Sequence, residues 1–211
     1  MITYREATKA EIPAVAKLAA ASFGHYPFFD FAFLPVLKTP EAYTAYMEKL
    51  HAIHIRANMA HHKCFIGVQD GCMVSAALLQ NPKEKRVTLP DYIKAGGVRL
   101  VFPVGMRKIL DFFAVSEEAQ QDCAPNYPDA RYLEMLVVAP DRKGSGLGSS
   151  MLKDCLLPYM QQQGGKELAL ITNTAVNCRF YEKNGFSEFA HRTLERNGQQ
   201  IDNWSFHCRV G

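Results

Sequence analysis

The chain has no run of lysines and arginines. Its densest basic stretch, Lys83-Glu84-Lys85-Arg86, is broken by an acid, and 24 basic against 21 acidic residues leave a formal charge of only +3. A nucleic-acid surface is therefore not expected. A long uncharged apolar segment is missing too. The most weakly charged stretch, residues 18–37, contains Asp30, His25 and two prolines, and could not satisfy its backbone as a membrane-spanning helix. The opening Met1-Ile-Thr-Tyr-Arg-Glu6 lacks a charged leader followed by an apolar run, so a soluble, cytoplasmic chain with no membrane partner is expected. Six cysteines (Cys64, Cys72, Cys123, Cys155, Cys178, Cys208) form no Cys-x-x-Cys pair, and reduced core thiols are the expected state. Among His51, His54, His61 and His62, only the first two share a helical face, and no acid follows at ligand spacing; a helix edge rather than a metal site is expected.

What is present is enough for a core. Hydrophobic residues make up 48% of the 211 positions and charged residues 21%, which fits one α/β (α+β) domain over residues 1–211 with an insertion. Ile2 to Ala7 reads as a strand, and Thr8-Lys-Ala-Glu11 has capping-box spacing ahead of an Ala/Leu-rich helix to Ser22. Gly24 to Pro40 reads as an aromatic, proline-punctuated connector, and Glu41 to Ala60 as a helix. Cys64 to Gln69 and Met73 to Gln80 flank Asp70-Gly71 as a hairpin. Residues 81–131 form the insertion, with one helix over Val98 to Phe113, a second over Ser116 to Asp122, and a loop from Ala124 to Asp129. Strands at Tyr132 to Val138 and Glu167 to Thr172 then alternate with helices at Gly146 to Gln162 and Val176 to Lys183. A hairpin of Phe186 to Leu194 and Gln199 to Arg209, turning at Asn197-Gly198, closes the chain.

The stretch Met135-Leu-Val-Val-Ala-Pro-Asp-Arg-Lys-Gly-Ser-Gly-Leu-Gly-Ser-Ser150 carries the chemistry. Pro140 forces an extended exit from the strand, and Arg142, Lys143, Gly144, Gly146 and Gly148 meet a helix start. Glycines let a ligand approach the backbone, and free amides with the helix dipole favour an anion; two cations point to a multiply charged phosphate. A P-loop needs Lys-Ser or Lys-Thr after its last glycine, which is absent. A dinucleotide fingerprint needs Gly-x-Gly-x-x-Gly in a first strand-helix-strand unit, whereas these glycines are spaced by two and arrive late.

With Asn177-Cys-Arg-Phe-Tyr181-Glu-Lys-Asn-Gly-Phe186 downstream, the turn resembles the pyrophosphate signature of the GNAT superfamily of acyl-CoA N-acyltransferases. The spacing is most similar to the branch that includes puromycin N-acetyltransferase. Lys143 stands where relatives carry Gln or Arg, and Thr174 where many carry Asn. The resemblance implies a mixed, mostly antiparallel central sheet with helices on both faces, splayed at a cofactor-binding strand. It implies acetyl-CoA as co-substrate and a small-molecule primary amine as acceptor, joined by direct transfer in a ternary complex, in a monomer or homodimer without metal. Leu136, Val137 and Val138 would pair with the pantetheine arm. Arg142, Lys143, Gly144, Ser145, Gly146, Leu147, Gly148 and Ser149 would hold the pyrophosphate, with Asn177 beside them. Tyr181 would be the general acid and Glu134 the base, although a strand glutamate facing solvent is the plainer reading of Glu134. Tyr26, Phe28, Phe29 and Asp30 would line the acceptor pocket, against ordinary packing as the alternative. Two further functions stay open at this level: a non-catalytic acyl-CoA sensor or scaffold, and a protein or peptide N-acetyltransferase.

Overall fold

The computed structural model describes residues 1–196 and 198–210. Seven strands form one sheet in the order β1-β2-β3-β4-β5-β7-β6: β1 (Ile2–Glu6), β2 (Lys63–Gln69), β3 (Cys72–Gln80), β4 (Arg131–Val138), β5 (Glu167–Thr172), β6 (Ser187–Arg196) and β7 (Gln199–Arg209). Neighbours are antiparallel except β4 and β5. This is the mixed, mostly antiparallel sheet that the sequence implied. The β2–β3 turn is tight because Asp70 and Gly71 both have positive φ, 52° and 77°, as a two-residue hairpin of right-handed twist requires. Of the expected Asn197-Gly198 turn, Asn197 lies outside the described residues.

Helices cover both faces. The capping box at Thr8 and Glu11 forms, with the Thr8 amide donating to Glu11 Oε2 at 2.9 Å, and a 3-10 turn leads into α1 (Ile12–Phe23). Its buried Ile12, Val15, Ala16, Ala19 and Ala20 recur at helical spacing. They pack with Ile55 of α3 (Pro40–Asn58) against Ile66, Ala76, Leu78, Met135 and Val137 of the sheet. On the opposite face α8 (Leu147–Ser150), a π-helical turn (Met151–Leu156) and α9 (Leu157–Gln162) follow one another. The π turn precedes Pro158, which has no N–H to give the Asp154 carbonyl. With α10 (Ala175–Lys183) these helices bury Met151, Leu152, Leu156, Met160 and Tyr181 against Leu79, Leu133, Leu168 and Phe206.

The connector and the insertion differ from the sequence reading. Pro27–Phe33 is a short helix, α2, opened by a proline at its first position. Between β3 and β4 lie α4 (Leu89–Lys94), α5 (Val98–Val104), α6 (Met106–Gln120) and α7 (Cys123–Asn126). The helix expected over 98–113 is broken at Gly105, where φ is +86° and Pro103 precedes the break. The helix expected to begin at Ser116 is instead the continuation of α6. Ser116 Oγ donates back to the Phe112 carbonyl at 2.7 Å, so it sits mid-helix rather than at a cap. The expected loop from Ala124 starts inside α7, and α4 was not foreseen.

The insertion is tied down on two sides. Tyr46 Oη donates to the Leu100 carbonyl at 3.3 Å and Arg56 Nη1 to the Ala95 carbonyl at 2.6 Å, joining it to α3. Asp122 pairs with Arg192, and Asp111 and Glu118 with Arg196, joining it to β6. Its outer face carries Phe102, which is 85% exposed. Leu156→Ala is expected to lower the unfolding free energy by about 2–5 kcal/mol, as fully buried leucines do. Phe102→Ser should change it by less than about 0.5 kcal/mol; urea denaturation of both variants checks this.

Candidate active site

The site begins with a register shift. Leu78 of β3 pairs with Met135 and Leu79 with Leu133, so Glu134 is an extra residue with no partner opposite it. The packing agrees: Leu133 belongs to the α8–α10 face, while Met135, only two residues on, belongs to the α1–α3 face. On its other edge β4 pairs with β5 only at Arg131↔Leu168 and Tyr132↔Ala169. Beyond Tyr132 the two strands part, and the edge of β4 carrying Leu136, Val137 and Val138 has no ladder partner from β5. An apolar strand edge of this kind presents donors and acceptors to a peptide-like chain.

The glycine turn lies at the end of this edge. Residues 141–146 are exposed, Gly144 and Gly146 have φ of +81° and +86°, and a Cβ on either would meet nothing within 4 Å. Their amides find no hydrogen-bond acceptor among the described residues, and Gly146 caps α8, whose first amides have no intrahelical partner. These positions fit a pyrophosphate. Gly148 has a different reason to be glycine: a Cβ there would stand 3.0 Å from Phe180 Cζ, so it lets α10 approach α8. Lys143 Nζ donates to the Ser22 carbonyl at 2.8 Å, tying the turn to the end of α1, and Ser145 Oγ donates to the Arg142 carbonyl. Arg142 is half exposed beside Asp141, while Leu147 is buried and Ser149 partly so.

Tyr181 of α10 is buried among Phe180, Phe186 and Phe206. Burial, with the neighbouring Tyr26, pushes its phenol well above the ordinary tyrosine range, so it keeps its proton at neutral pH. Tyr132 is likewise raised by burial and lies within electrostatic reach of both Tyr181 and Tyr26. Three phenols therefore gather where β4 and β5 part. Tyr26 accepts from the Asn173 amide at 2.8 Å and bonds Thr172 Oγ1 at 3.1 Å, while Asn177 Nδ2 donates to the same Thr172 oxygen at 3.0 Å. Thr174 caps α10 by accepting from the Asn177 amide at 3.3 Å.

Of the other acceptor-side residues, Phe28 is buried with Phe31, Val115, Ala119 and Leu194 and packs the core. Phe29 is half-buried, with Phe23 and His51 edge-on to it at 5.3 and 5.1 Å. Asp30 already accepts from Tyr43 Oη at 2.7 Å and from His25 at 3.2 Å. Glu134 does not face solvent. Its side chain is 13% exposed, Oε1 lies 3.1 Å from His54 Nε2, and Oε2 is buried without a hydrogen-bond partner. His54, with Tyr132 and Thr172, is the part that sequence reasoning missed; the three-residue spacing of His51 and His54 was its one visible trace. Among the described residues there is no cluster of three or more metal-ligating side chains, and no helix is long and apolar enough to cross a membrane.

Residues 104–188 match the family described as "Acetyltransferase (GNAT) domain", a span that includes the glycine turn, the bulge and Tyr181. The whole chain has the same fold as several solved structures. A Corynebacterium glutamicum structure described as histone acetyltransferase HPA2 and related acetyltransferase superimposes with a TM-score of 0.66 at 17% identity, covering 100% of this chain and 97% of that one. Drosophila melanogaster polyamine N-acetyltransferase gives 0.61 at 14% identity, with 100% of both chains covered. The yncA protein of Salmonella typhimurium, solved with its cofactor acetyl-CoA, gives 0.55 at 13% identity over 100% of this chain and 95% of its own.

Gly146→Ala forces an L-residue into a left-handed conformation at a cost of about 1–2 kcal/mol. It is expected to weaken acetyl-CoA binding about tenfold or more by calorimetry, with the far-UV spectrum unchanged.

Proposed function

We propose that the protein transfers an acetyl group from acetyl-CoA to the primary amine of a small molecule, directly and within a ternary complex. The observation that carries this reading is the parting of β4 from β5 beside the glycine turn, with a buried, protonated Tyr181 at the fork. Leu136, Val137 and Val138 offer backbone to the pantetheine arm. The amides of residues 144 to 149, with Arg142 and Lys143 alongside, take the pyrophosphate, and Asn177 holds the neighbouring polar corner through Thr172. Bound acetyl-CoA supplies an activated thioester.

The chain's own residues move the protons. Glu134 Oε2 takes the proton that the amine loses as its nitrogen bonds the acetyl carbon, directly or through water. As the carbon–sulfur bond breaks, the Tyr181 hydroxyl gives its proton to the departing sulfur. A free thiol titrates near about 8.5 and an unperturbed phenol near about 10, and burial raises Tyr181 further. It therefore stays neutral, with its proton in place, at neutral pH, and the phenolate left after transfer, a stronger base than the thiolate, regains a proton from water.

A compact acceptor is favoured by the cover over this side of the sheet. Tyr26 reaches from the start of α2 to the end of β5, Phe29 contacts Phe112 of the insertion, and Tyr92 of α4 lies behind Glu134. The spacing of Asn177 and Tyr181 supports reading the chain as similar to the branch that includes puromycin N-acetyltransferase, working as a monomer or homodimer in the cytoplasm.

The test is thiol release from acetyl-CoA with aminonucleosides, polyamines, amino acids and peptides. Release with a small amine supports the proposal; release only with peptides would move the acceptor to a protein terminus or lysine. Coenzyme binding without release from any of them would favour a sensor. Tyr181→Phe is expected to lower kcat by about 10²–10⁴ while coenzyme affinity stays within about twofold; an unchanged kcat would remove Tyr181 as the acid.

A further inference from the structure

Tyr92 and His54 form a directed chain that ends on Glu134, with Gln80 and Asn58 bonded beside it. Gln80 Nε2 of β3 donates to Asn58 Oδ1 at 2.8 Å, which fixes the Asn58 amide so that its nitrogen is the donor. That nitrogen gives one hydrogen bond to the His54 carbonyl at 3.0 Å and lies 3.5 Å from His54 Nε2. The Tyr92 hydroxyl lies 2.9 Å from His54 Nδ1 and is the donor there, because the carboxylate that faces Nε2 can only accept and so keeps the ring proton on Nε2. With Nδ1 accepting, the neutral imidazole carries its proton on Nε2 and donates it to Glu134 Oε1 at 3.1 Å. Tyr92 and His54 thus donate in one direction, and the last acceptor is a carboxylate.

A purely structural pair would satisfy both carboxylate oxygens, because a buried polar atom without a partner is costly. Here Oε2 is buried and unpartnered while Oε1 is held. The bulge explains the asymmetry. As an extra residue in β4, Glu134 is turned toward α3, where His54 meets it from one side.

We propose that His54 and Tyr92 are positioning residues for acetyl transfer, fixing Glu134 through Oε1 so that Oε2, which has no partner of its own, is left to take the proton of the acceptor amine or its water. This rests on the reading of Glu134 as the base. Tyr92 belongs to α4, so the insertion takes part in aiming the base as well as covering the site.

The experiment compares His54→Ala, His54→Gln and Tyr92→Phe with Glu134→Gln, using the best amine from the panel for rates, calorimetry for acetyl-CoA and ¹⁵N spectra of the labelled imidazoles. His54→Ala should lower kcat about 10- to 100-fold, at or below the low end of a general base's contribution, with the coenzyme Kd unchanged. His54→Gln, whose amide can still donate to Oε1, should recover part of that loss. His54→Ala combined with Glu134→Gln should be no slower than Glu134→Gln alone. The spectra should show the His54 proton on Nε2, and Tyr92→Phe should disturb it. A wild-type kcat in His54→Ala beside a slow Glu134→Gln overturns the positioning role and leaves the base in place. A wild-type kcat in Glu134→Gln overturns the base and this inference with it. A His54 proton found on Nδ1 overturns the inference whatever the rates, and His54→Gln and Tyr92→Phe keep the test available should His54→Ala fail to fold.

Discussion

Parallel strands that pair over two residues and then part are the constraint on which the site depends. β4 and β5 are held together at Arg131↔Leu168 and Tyr132↔Ala169, and the bulge, Glu134, lies two residues beyond the last of these pairs. An extra residue raises local twist and bends the strand that bears it, which carries the remainder of β4 away from β5. Each strand keeps its other neighbour: Ala76 still pairs with Val137, and Ile171 with Ser205. The opening is therefore a wedge inside an intact sheet. The core survives because the bulge also switches faces, sending Leu133 to one layer of helices and Met135 to the other.

The same bulge that opens the wedge aims the carboxylate. Placing Glu134 at 13% exposure takes a charge largely out of water, which is tolerated only where it is paired and hydrogen-bonded. The imidazole of His54 meets that need on one oxygen. The unmet oxygen has the character of a functional site, where polar satisfaction is left for a substrate to complete. His51, one turn away, is a contrast: wholly buried and stacked on Phe23, its ring is pushed down to about 3 by burial and by His54, so it stays neutral and serves as an aromatic wall. Two histidines on one helix face are thus divided between packing and polarity by what lies opposite them.

Much of the fold was legible in the sequence because it is written in local patterns. The period of Ile12, Val15, Ala16 and Ala19, the Thr8/Glu11 box and the Asp70-Gly71 turn each fix a short segment by short-range physics. The glycine turn was legible for the same reason, although Gly148 is there to admit the Phe180 ring. Errors fell where one residue type supports two local outcomes. Gly105 interrupts an apolar period that continues across it, Ser116 bonds backward inside a helix instead of capping one, and the aromatic connector hides a seven-residue helix behind Pro27. The polar cluster of Gln80, Asn58, His54, Tyr92 and Glu134 was invisible, because its members lie on β3, α3, α4 and β4 and only the folded sheet brings them together. The bulge was likewise hidden: the alternation of β4 runs unbroken through Glu134, and only its pairing with β3 reveals the extra residue.

Backbone hydrogen–deuterium exchange with and without acetyl-CoA tests the central claim most directly, since that claim concerns amides in a wedge and a turn. Added coenzyme should slow exchange in two separate segments, residues 136–138 of β4 and residues 144–149 of the turn and helix start. The β2–β3 hairpin should be unaffected. Protection confined to other segments, or none at saturating coenzyme, would contradict the account of what the parted strands and the glycine turn are built to hold.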